Sequence, residues 1–267
     1  MTRVAAIQMT AGLDVGLNLN TACKLVQEAA ETGAELVLLP EMFLCMDGKQ
    51  YPALAAEQDW LETLKGWCRS LNIWLVAGAV PMPSPNPEET RVRSACLVID
   101  HQGDVVGRYD KIHLFDVDVS DAQGAYRESR RFESGADVVV IDSPVGKLGL
   151  SICYDIRFPE LFRQLREQGA EVILVPAAFT HRTGAAHWEV LLRARAIESQ
   201  CFVLACNQCG WHDEHRQTWG HSMLIDGWGK VLGQLQEGEG VLVADVDSDS
   251  LESLRQSMPV MNHRRLV

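Results

Sequence analysis

Short apolar runs alternate with amphipathic stretches from one end of the chain to the other. Runs bounded by polar or turn residues predict strands over Arg3–Met9, Glu35–Leu39, Ile73–Ala79, Arg93–Ile99 and Val105–Asp110. Further strands are predicted over Val138–Ile141, Lys147–Ile152, Glu171–Val175, Phe202–Asn207, Ser222–Ile225, Val231–Leu235 and Val241–Val246. Helical spacing predicts helices over Leu17–Thr32, Asp59–Leu71, Phe158–Gln168, His187–Ser199 and Asp249–Ser257. The Pro-rich stretch Pro81–Pro87 predicts a loop, and His101-Gln102-Gly103-Asp104 and Asp226-Gly227-Trp228-Gly229 predict hairpin turns. Mixed α and β order with several hairpins implies an α/β fold of sheets covered by helices.

The 267 residues suffice for one large α/β domain or two small ones, and a 47% hydrophobic content suits a sizeable core. The net charge of −12 argues against nucleic acid or an anionic membrane as a partner. The N-terminus runs directly into a strand pattern without a signal-peptide apolar region, and no later run approaches the ~18 apolar residues of a spanning helix. The eight cysteines are scattered through helices and strands, which favours reduced thiols and a cytoplasmic location over a disulfide framework.

Gly33-Ala34-Glu35-Leu36-Val37-Leu38-Leu39-Pro40-Glu41 is echoed by Gly169-Ala170-Glu171-Val172-Ile173-Leu174-Val175-Pro176-Ala177. The echo suggests two related halves of one sandwich, each contributing a helix–turn–strand unit. Ordinary turn chemistry before a buried strand would produce the same pattern. Neither accounts for a carboxylate after the proline in one half and alanine in the other.

Three polar groups end or closely follow apolar strands: Glu41, Lys111 and Cys153. Open α/β sheets place ligands beyond the carboxyl ends of strands. The Cys153 run, Leu148-Gly149-Leu150-Ser151-Ile152-Cys153, leads straight into a turn and a helix start, an elbow that aims one side chain at a cleft. A free thiol is mostly protonated at neutral pH, so attack on a carbonyl needs a base, for which Glu41 is the candidate. Lys111 and the backbone N–H of Tyr154 are candidates to bind the resulting oxyanion. Taken singly, Cys153 reads equally well as a buried thiol, Glu41 as a solvated carboxylate and Lys111 as a surface charge.

Leu38-Leu39-Pro40-Glu41-Met42-Phe43, Tyr109-Asp110-Lys111-Ile112-His113-Leu114-Phe115-Asp116 and Cys153-Tyr154-Asp155-Ile156-Arg157-Phe158-Pro159-Glu160 closely resemble the three signature motifs of the nitrilase superfamily of carbon–nitrogen hydrolases. They stand in the family's order, and the resemblance covers essentially the whole chain. It implies a four-layer α-β-β-α sandwich, a single domain over residues 1–267 and a homodimer. It also implies Glu41 as general base, Lys111 as oxyanion stabiliser, Cys153 as nucleophile, and no cofactor or metal. A second family glutamate matches Glu128, implied to hold Lys111 and orient the amide; a loop carboxylate among Arg127, Arg130 and Arg131 is the plainer alternative.

Ile112–Asp118 and Thr183–Glu189 resemble the branch that holds deaminated glutathione amidases and ω-amidases, and Glu189–Cys201, Gln208-Cys209-Gly210 and Gly220-His221-Ser222-Met223 are closer to the former. The implied substrate is a small-molecule amide carrying a 2-oxoglutarate acyl unit. Such a substrate would draw on Arg157 as a carboxylate clamp, Thr183 as a hydroxyl donor and Phe179 as a wall. The triad does not separate release of Cys-Gly from release of ammonia, and a retired hydrolase kept as a binding protein is the non-enzymatic alternative. One departure is visible: the family commonly has Tyr-Asn where this chain has Val92-Arg93.

Cys206-x-x-Cys209-x-x-His212-x-x-His215 carries zinc-ligand residue types, but two-residue gaps are shorter than finger-like sites use, so no metal is expected. His113, His187 and His221 read as hydrogen-bonded structural residues, with His113 and Trp188 framing the pocket loops. No phosphate loop is present.

Overall fold

The structure, a computed structural model, describes residues 1–121 and 124–266. Its strands are β1 (Thr2–Gln8), β2 (Leu36–Leu38), β3 (Trp74–Met82), β4 (Arg93–Ile99), β5 (Val105–Asp110), β6 (Asp116–Asp118), β7 (Ala125–Arg127) and β8 (Val140–Ser143). They continue with β9 (Gly146–Leu150), β10 (Val172–Ala177), β11 (Phe202–Asn207), β12 (Cys209–Trp211), β13 (Gln217–Trp219), β14 (Met223–Ile225), β15 (Val231–Gln234) and β16 (Gly240–Val246). The helices are α1 (Val15–Glu31), α2 (Tyr51–Glu57), α3 (Asp59–Leu71), α4 (Pro159–Glu167), α5 (His181–Ser199), α6 (Ser248–Ser257) and α7 (Val260–His263).

Two six-stranded sheets form, ordered β16-β1-β2-β3-β4-β5 and β15-β14-β11-β10-β9-β8. In each, the central strands run parallel: β1, β2 and β3 in one, β9, β10 and β11 in the other. The period of two along each strand divides its burial between two cores. Val4, Ala6, Leu36, Leu38 and Val76 point inward to join residues of the second sheet. Ala5, Ile7, Val37, Leu39 and Leu75 point outward onto Val26 and Ala29 of α1 and Leu64 and Cys68 of α3. Phe162 and Leu165 of α4, with Trp188 and Leu192 of α5, cover the other sheet. The result is an α-β-β-α sandwich. Strands buried on both faces read as unbroken apolar runs rather than alternating ones, which is why the run pattern located them.

The departures from the sequence pattern have local causes. Strand β3 continues through Pro81, which pairs with Ser94 of β4 after a register shift between Ala77 and Val80. By then β2 has ended, so the missing proline N–H faces no ladder. Helix α5 begins six residues before His187. Thr180 caps it by accepting from Thr183 N at 3.4 Å, and Gly184 is a packing glycine rather than a breaker. A Cβ there would lie 2.3 Å from Trp219 Cβ. Strand β8 starts at Val140, two residues later than predicted. Helix α2 and the short hairpins β6–β7 and β12–β13 were not foreseen; elements of three to seven residues carry too few positions for periodicity.

Candidate active site

Three chain segments leave the sandwich at one end. After β2, Leu39 N and Met42 N still bond to Val76 O and Ala79 O of β3, which holds Glu41 in line with the sheet. The two backbones come so close there that a Cβ on Gly78 would lie 1.8 Å from Leu39 O and 2.5 Å from Pro176 Cβ. Strand β5 runs antiparallel to β4, as does β3, so its carboxyl end points the same way and delivers Lys111. Strand β9 delivers Cys153 from the opposite sheet.

Cys153 has φ +47°, a left-handed conformation that costs a non-glycine residue of order 1 kcal/mol or more. The surrounding turn enforces it. Residues Cys153–Arg157 form a 3-10 turn, and the buried Asp155 accepts from Ile152 N at 2.8 Å, Tyr109 Oη at 2.7 Å and His113 N at 3.1 Å. The His113 ring adds a 2.7 Å contact and stacks on Phe158 with centroids 3.7 Å apart. Because Tyr154 stands in the first turn, its N–H has no intrahelical acceptor and is available to an oxyanion.

Lys111 Nζ lies 2.8 Å from Glu41 Oε1 and 2.9 Å from each oxygen of Glu128. Glu41 and Lys111 are each 2% exposed, and Cys153 is 8% exposed. Glu41 Oε2 accepts from Ala178 N at 2.9 Å, and Phe115 N donates to Glu128 Oε2 at 2.6 Å. The Cys153 thiol lies close enough to the Glu41 carboxylate for each to shift the titration of the other. Burial pushes the Glu41 carboxyl up, but the charge and hydrogen bond of Lys111, helped by the neighbouring Cys153 thiol and the Ala178 N–H, outweigh it and hold it below its ordinary value. Burial and the repulsion of Glu41 push Glu128 up despite Lys111. Burial and the Glu41 charge hold the Cys153 thiol well above its usual range. Burial opposes the Lys111 charge, but Glu128 and Glu41 raise its pKa well above normal. The resting site is thus a protonated thiol, an ionised base and a protonated lysine, a distribution suited to general-base attack on a carbonyl.

These groups floor a cleft of about 740 Å³, open mouth included. Tyr154, Phe179 and Thr183 line it, as does Glu128. Asn207 Oδ1 accepts from Phe179 N at 2.9 Å and sets that ring over the floor, while Tyr154 packs edge-on against Phe115 at 4.9 Å. Arg157 does not reach the lining. Its guanidinium faces the rings of Phe179 (5.2 Å) and Tyr154 (5.7 Å) and meets His187 Nδ1 at 3.3 Å, so it stands one ring behind the wall. It is not paired with Glu160 on its own turn. The lining residues that sequence reasoning missed include Tyr51, Tyr126, Arg127, Arg131 and Arg216. They lie on α2 and the short hairpins and loops, whose only sequence signal was the clustering of Arg127, Arg130 and Arg131.

The remaining candidates have other duties. His212 is buried with Nδ1 2.7 Å from Ala11 O and Nε2 2.7 Å from Thr218 Oγ1, and burial lowers its pKa to about 4. Cys209 Sγ contacts Thr10 Oγ1 at 3.4 Å, and Cys206 is wholly buried. No group of three or more His, Cys, Asp or Glu side chains is placed to hold a metal among the described residues. Trp188 Nε1 donates to His221 O at 2.9 Å, and His221 stacks on Trp219 at 4.3 Å.

A family model described as carbon-nitrogen hydrolase matches residues 3–256. A protein named deaminated glutathione amidase from Yersinia enterocolitica is 42% identical over 268 residues, spanning 99% of this chain and 93% of its own length. The crystal structure of the Caenorhabditis elegans NitFhit protein superposes with a TM-score of 0.91 at 38% identity, covering 99% of this chain; the chain spans 65% of that longer protein. The Saccharomyces cerevisiae Nit3 structure, described as a member of branch 10 of the nitrilase superfamily, gives a TM-score of 0.88 at 28% identity over 99% of this chain and 97% of its own.

Proposed function

The chain belongs to the carbon-nitrogen hydrolase family, and from that premise we propose that it hydrolyses deaminated glutathione to 2-oxoglutarate and Cys-Gly through a thioester on Cys153. The observation that carries the chemistry is the Glu41–Lys111–Glu128 cluster, with one ammonium within 2.9 Å of two carboxylates on the floor of the cleft that Cys153 also lines. The substrate class is supported by relatives of that name at 42% identity.

Cys153 Sγ attacks the amide carbon as its proton passes to Glu41, forming the S–C bond. The oxyanion is met by Lys111 Nζ and the Tyr154 N–H, donors preorganised by Glu128 and by the elbow. Such a donor contributes about 3 kcal/mol to the transition state. Glu41 then protonates the amide nitrogen, the C–N bond breaks, and Cys-Gly leaves. Glu41 next takes a proton from water, whose oxygen attacks the thioester. The S–C bond breaks, the proton returns to sulfur, and 2-oxoglutarate departs. Tyr154, Phe179 and Thr183 contact the acyl chain in this scheme. Arg157, behind Phe179 and Tyr154, supplies positive potential there, and direct contact with the 2-oxo acid carboxylate requires it to swing from between the rings.

The enzyme is proposed to act in the cytoplasm as a homodimer. All eight cysteines are free, which suits a reducing compartment. No helix among the described residues is long and apolar enough to cross a membrane. Val190 and Ile197 stand exposed on α5, an apolar surface of the kind a second copy would cover. Sedimentation velocity tests the dimer.

The deciding measurement is kcat/KM for deaminated glutathione against 2-oxoglutaramate, the ω-amidase substrate with the same acyl half. A higher value for the peptide amide is expected. Preference for the small amide transfers the assignment to ω-amidase, and no turnover of either favours a binding protein. Cys153→Ala is expected to fold and form no thioester by intact mass; wild-type turnover in it would remove Cys153 from the mechanism.

A further inference from the structure

Four cationic side chains line the cleft: Lys111, Arg127, Arg131 and Arg216. Three have evident employment or exposure. Lys111 is held by Glu41 and Glu128. Arg127 donates to Val117 O (2.8 Å), Tyr126 O (2.7 Å) and Asp118 Oδ1 (2.7 Å). Arg131 is exposed and lies over Gly48. Arg216 differs. It sits just before β13, half-buried, and its Nε is enclosed with no hydrogen-bond partner among the described residues. Among the described residues its Nη2 meets only the soft acceptor Met42 Sδ at 3.6 Å. Among the described residues the guanidinium makes no ion pair, and the nearby Asp213 accepts through Oδ1 from the backbone N–H groups of His215 (2.7 Å) and of Arg216 itself (2.8 Å).

A buried donor left without an acceptor is costly, and a guanidinium offers two parallel N–H groups that match one carboxylate. Its place in the cleft indicates which carboxylate. Glu41 must protonate the departing nitrogen, so the leaving amine passes Glu41. The next residue, Met42, is the one on which Arg216 rests, and Tyr51, whose hydroxyl donates to the same sulfur at 3.3 Å, completes that wall. We infer that Arg216 is a specificity residue that binds the terminal carboxylate of the leaving amine, and so selects peptide-like over ammonia-releasing amides. The inference rests on the proposed amidase activity and deepens it.

The test is a cycle of two enzymes and two substrates, with a third substrate as control. Wild type and Arg216→Met are assayed on deaminated glutathione and on the same compound with its C-terminal glycine carboxylate amidated. In wild type, amidation is expected to lower kcat/KM about 10- to 100-fold, the range for one charge-assisted contact. In Arg216→Met, the carboxylate form is expected to fall by a similar factor and amidation to cost nothing further. Arg216→Lys should recover part of the loss. Turnover of 2-oxoglutaramate, which has no leaving-group carboxylate, should stay within twofold and so reports an intact fold and triad. An unchanged preference for the carboxylate in Arg216→Met overturns the inference, as does an equal loss on 2-oxoglutaramate in both Arg216→Met and Arg216→Lys. Wild-type enzyme inactive on every substrate is a different result: it removes the proposed activity, and the Arg216 role with it.

Discussion

Tyr109 donates its hydroxyl to Asp155 Oδ2 at 2.7 Å, and both side chains are wholly buried. Tyr109 lies two residues before Lys111, and Asp155 two residues after Cys153. One hydrogen bond therefore joins the strand end that carries the ammonium to the elbow that carries the thiol, across the two sheets. Asp155→Ala would orphan Tyr109 Oη and the N–H groups of Ile152 and His113. It is expected to lower the unfolding free energy by about 3 kcal/mol in urea titration. Tyr109→Phe removes one partner only and is expected to cost about 1 kcal/mol. A loss for Asp155→Ala no greater than for Tyr109→Phe would show that the elbow does not depend on this carboxylate.

Glu128 separates activity from stability. Its pKa stands above the ordinary 4.5, so the folded state favours its protonated form. The stability linked to that proton is present below pH 4.5 and lost as pH rises through the elevated folded value. Once ionised, the group is thus a liability tolerated for its grip on Lys111. Glu128→Gln is expected to change stability by less than about 1 kcal/mol while lowering kcat about 100-fold through a misplaced lysine. A matching collapse of stability in thermal unfolding would contradict this.

The same shifts set the pH profile. The first proton entering the carboxylate pair goes to Glu128, because Glu41 is held below 4.5 and Glu128 above it. The acid limb of kcat/KM is therefore expected above pH 4.5 in wild type and below it in Glu128→Gln, where Glu41 alone remains. Cys153 and Lys111 are both shifted upward from ordinary values of 9.0 and 10.5, so no alkaline loss is expected below pH 9. An alkaline limb near pH 7 to 8 would contradict the upward shifts, because Lys111 or Cys153 would then ionise well below its ordinary value.

How much of this was legible in the sequence depended on element length. Glu41, Lys111 and Cys153 each follow an apolar run, and the run marks both strand and strand end. Their common meeting point follows from β2, β5 and β9 opening at one end of the sandwich, a matter of topology that no spacing states. Glu128 follows a three-residue strand and was reached through family resemblance alone. Arg157 was placed at the substrate by its distance from Cys153; two aromatic rings hold it one layer back, and ring packing between separate elements leaves no local pattern. Arg216 lies in the turn of the β12–β13 hairpin, just before a three-residue strand too short to carry a period.

Gly78 shows how tightly the site depends on the meeting of the sheets. A Cβ at this position would enter Leu39 O at 1.8 Å and Pro176 Cβ at 2.5 Å, and neither is the far end of a flexible chain. Leu39 stands two residues before Glu41, and Pro176 two before Ala178, whose N–H holds Glu41 Oε2. Relief of the clash must move one or both segments and therefore the base. Gly78→Ala is expected to cost about 2 to 3 kcal/mol, as overpacking does, and to lower kcat more than tenfold under conditions where circular dichroism shows the variant fully folded. The control is Gly66→Ala, in α3, where nothing lies within 4 Å of the added carbon and stability should rise by up to about 1 kcal/mol. Full activity in folded Gly78→Ala would mean that the β2–β3 junction adjusts without displacing Glu41, and that the base is positioned by Lys111 and Ala178 alone.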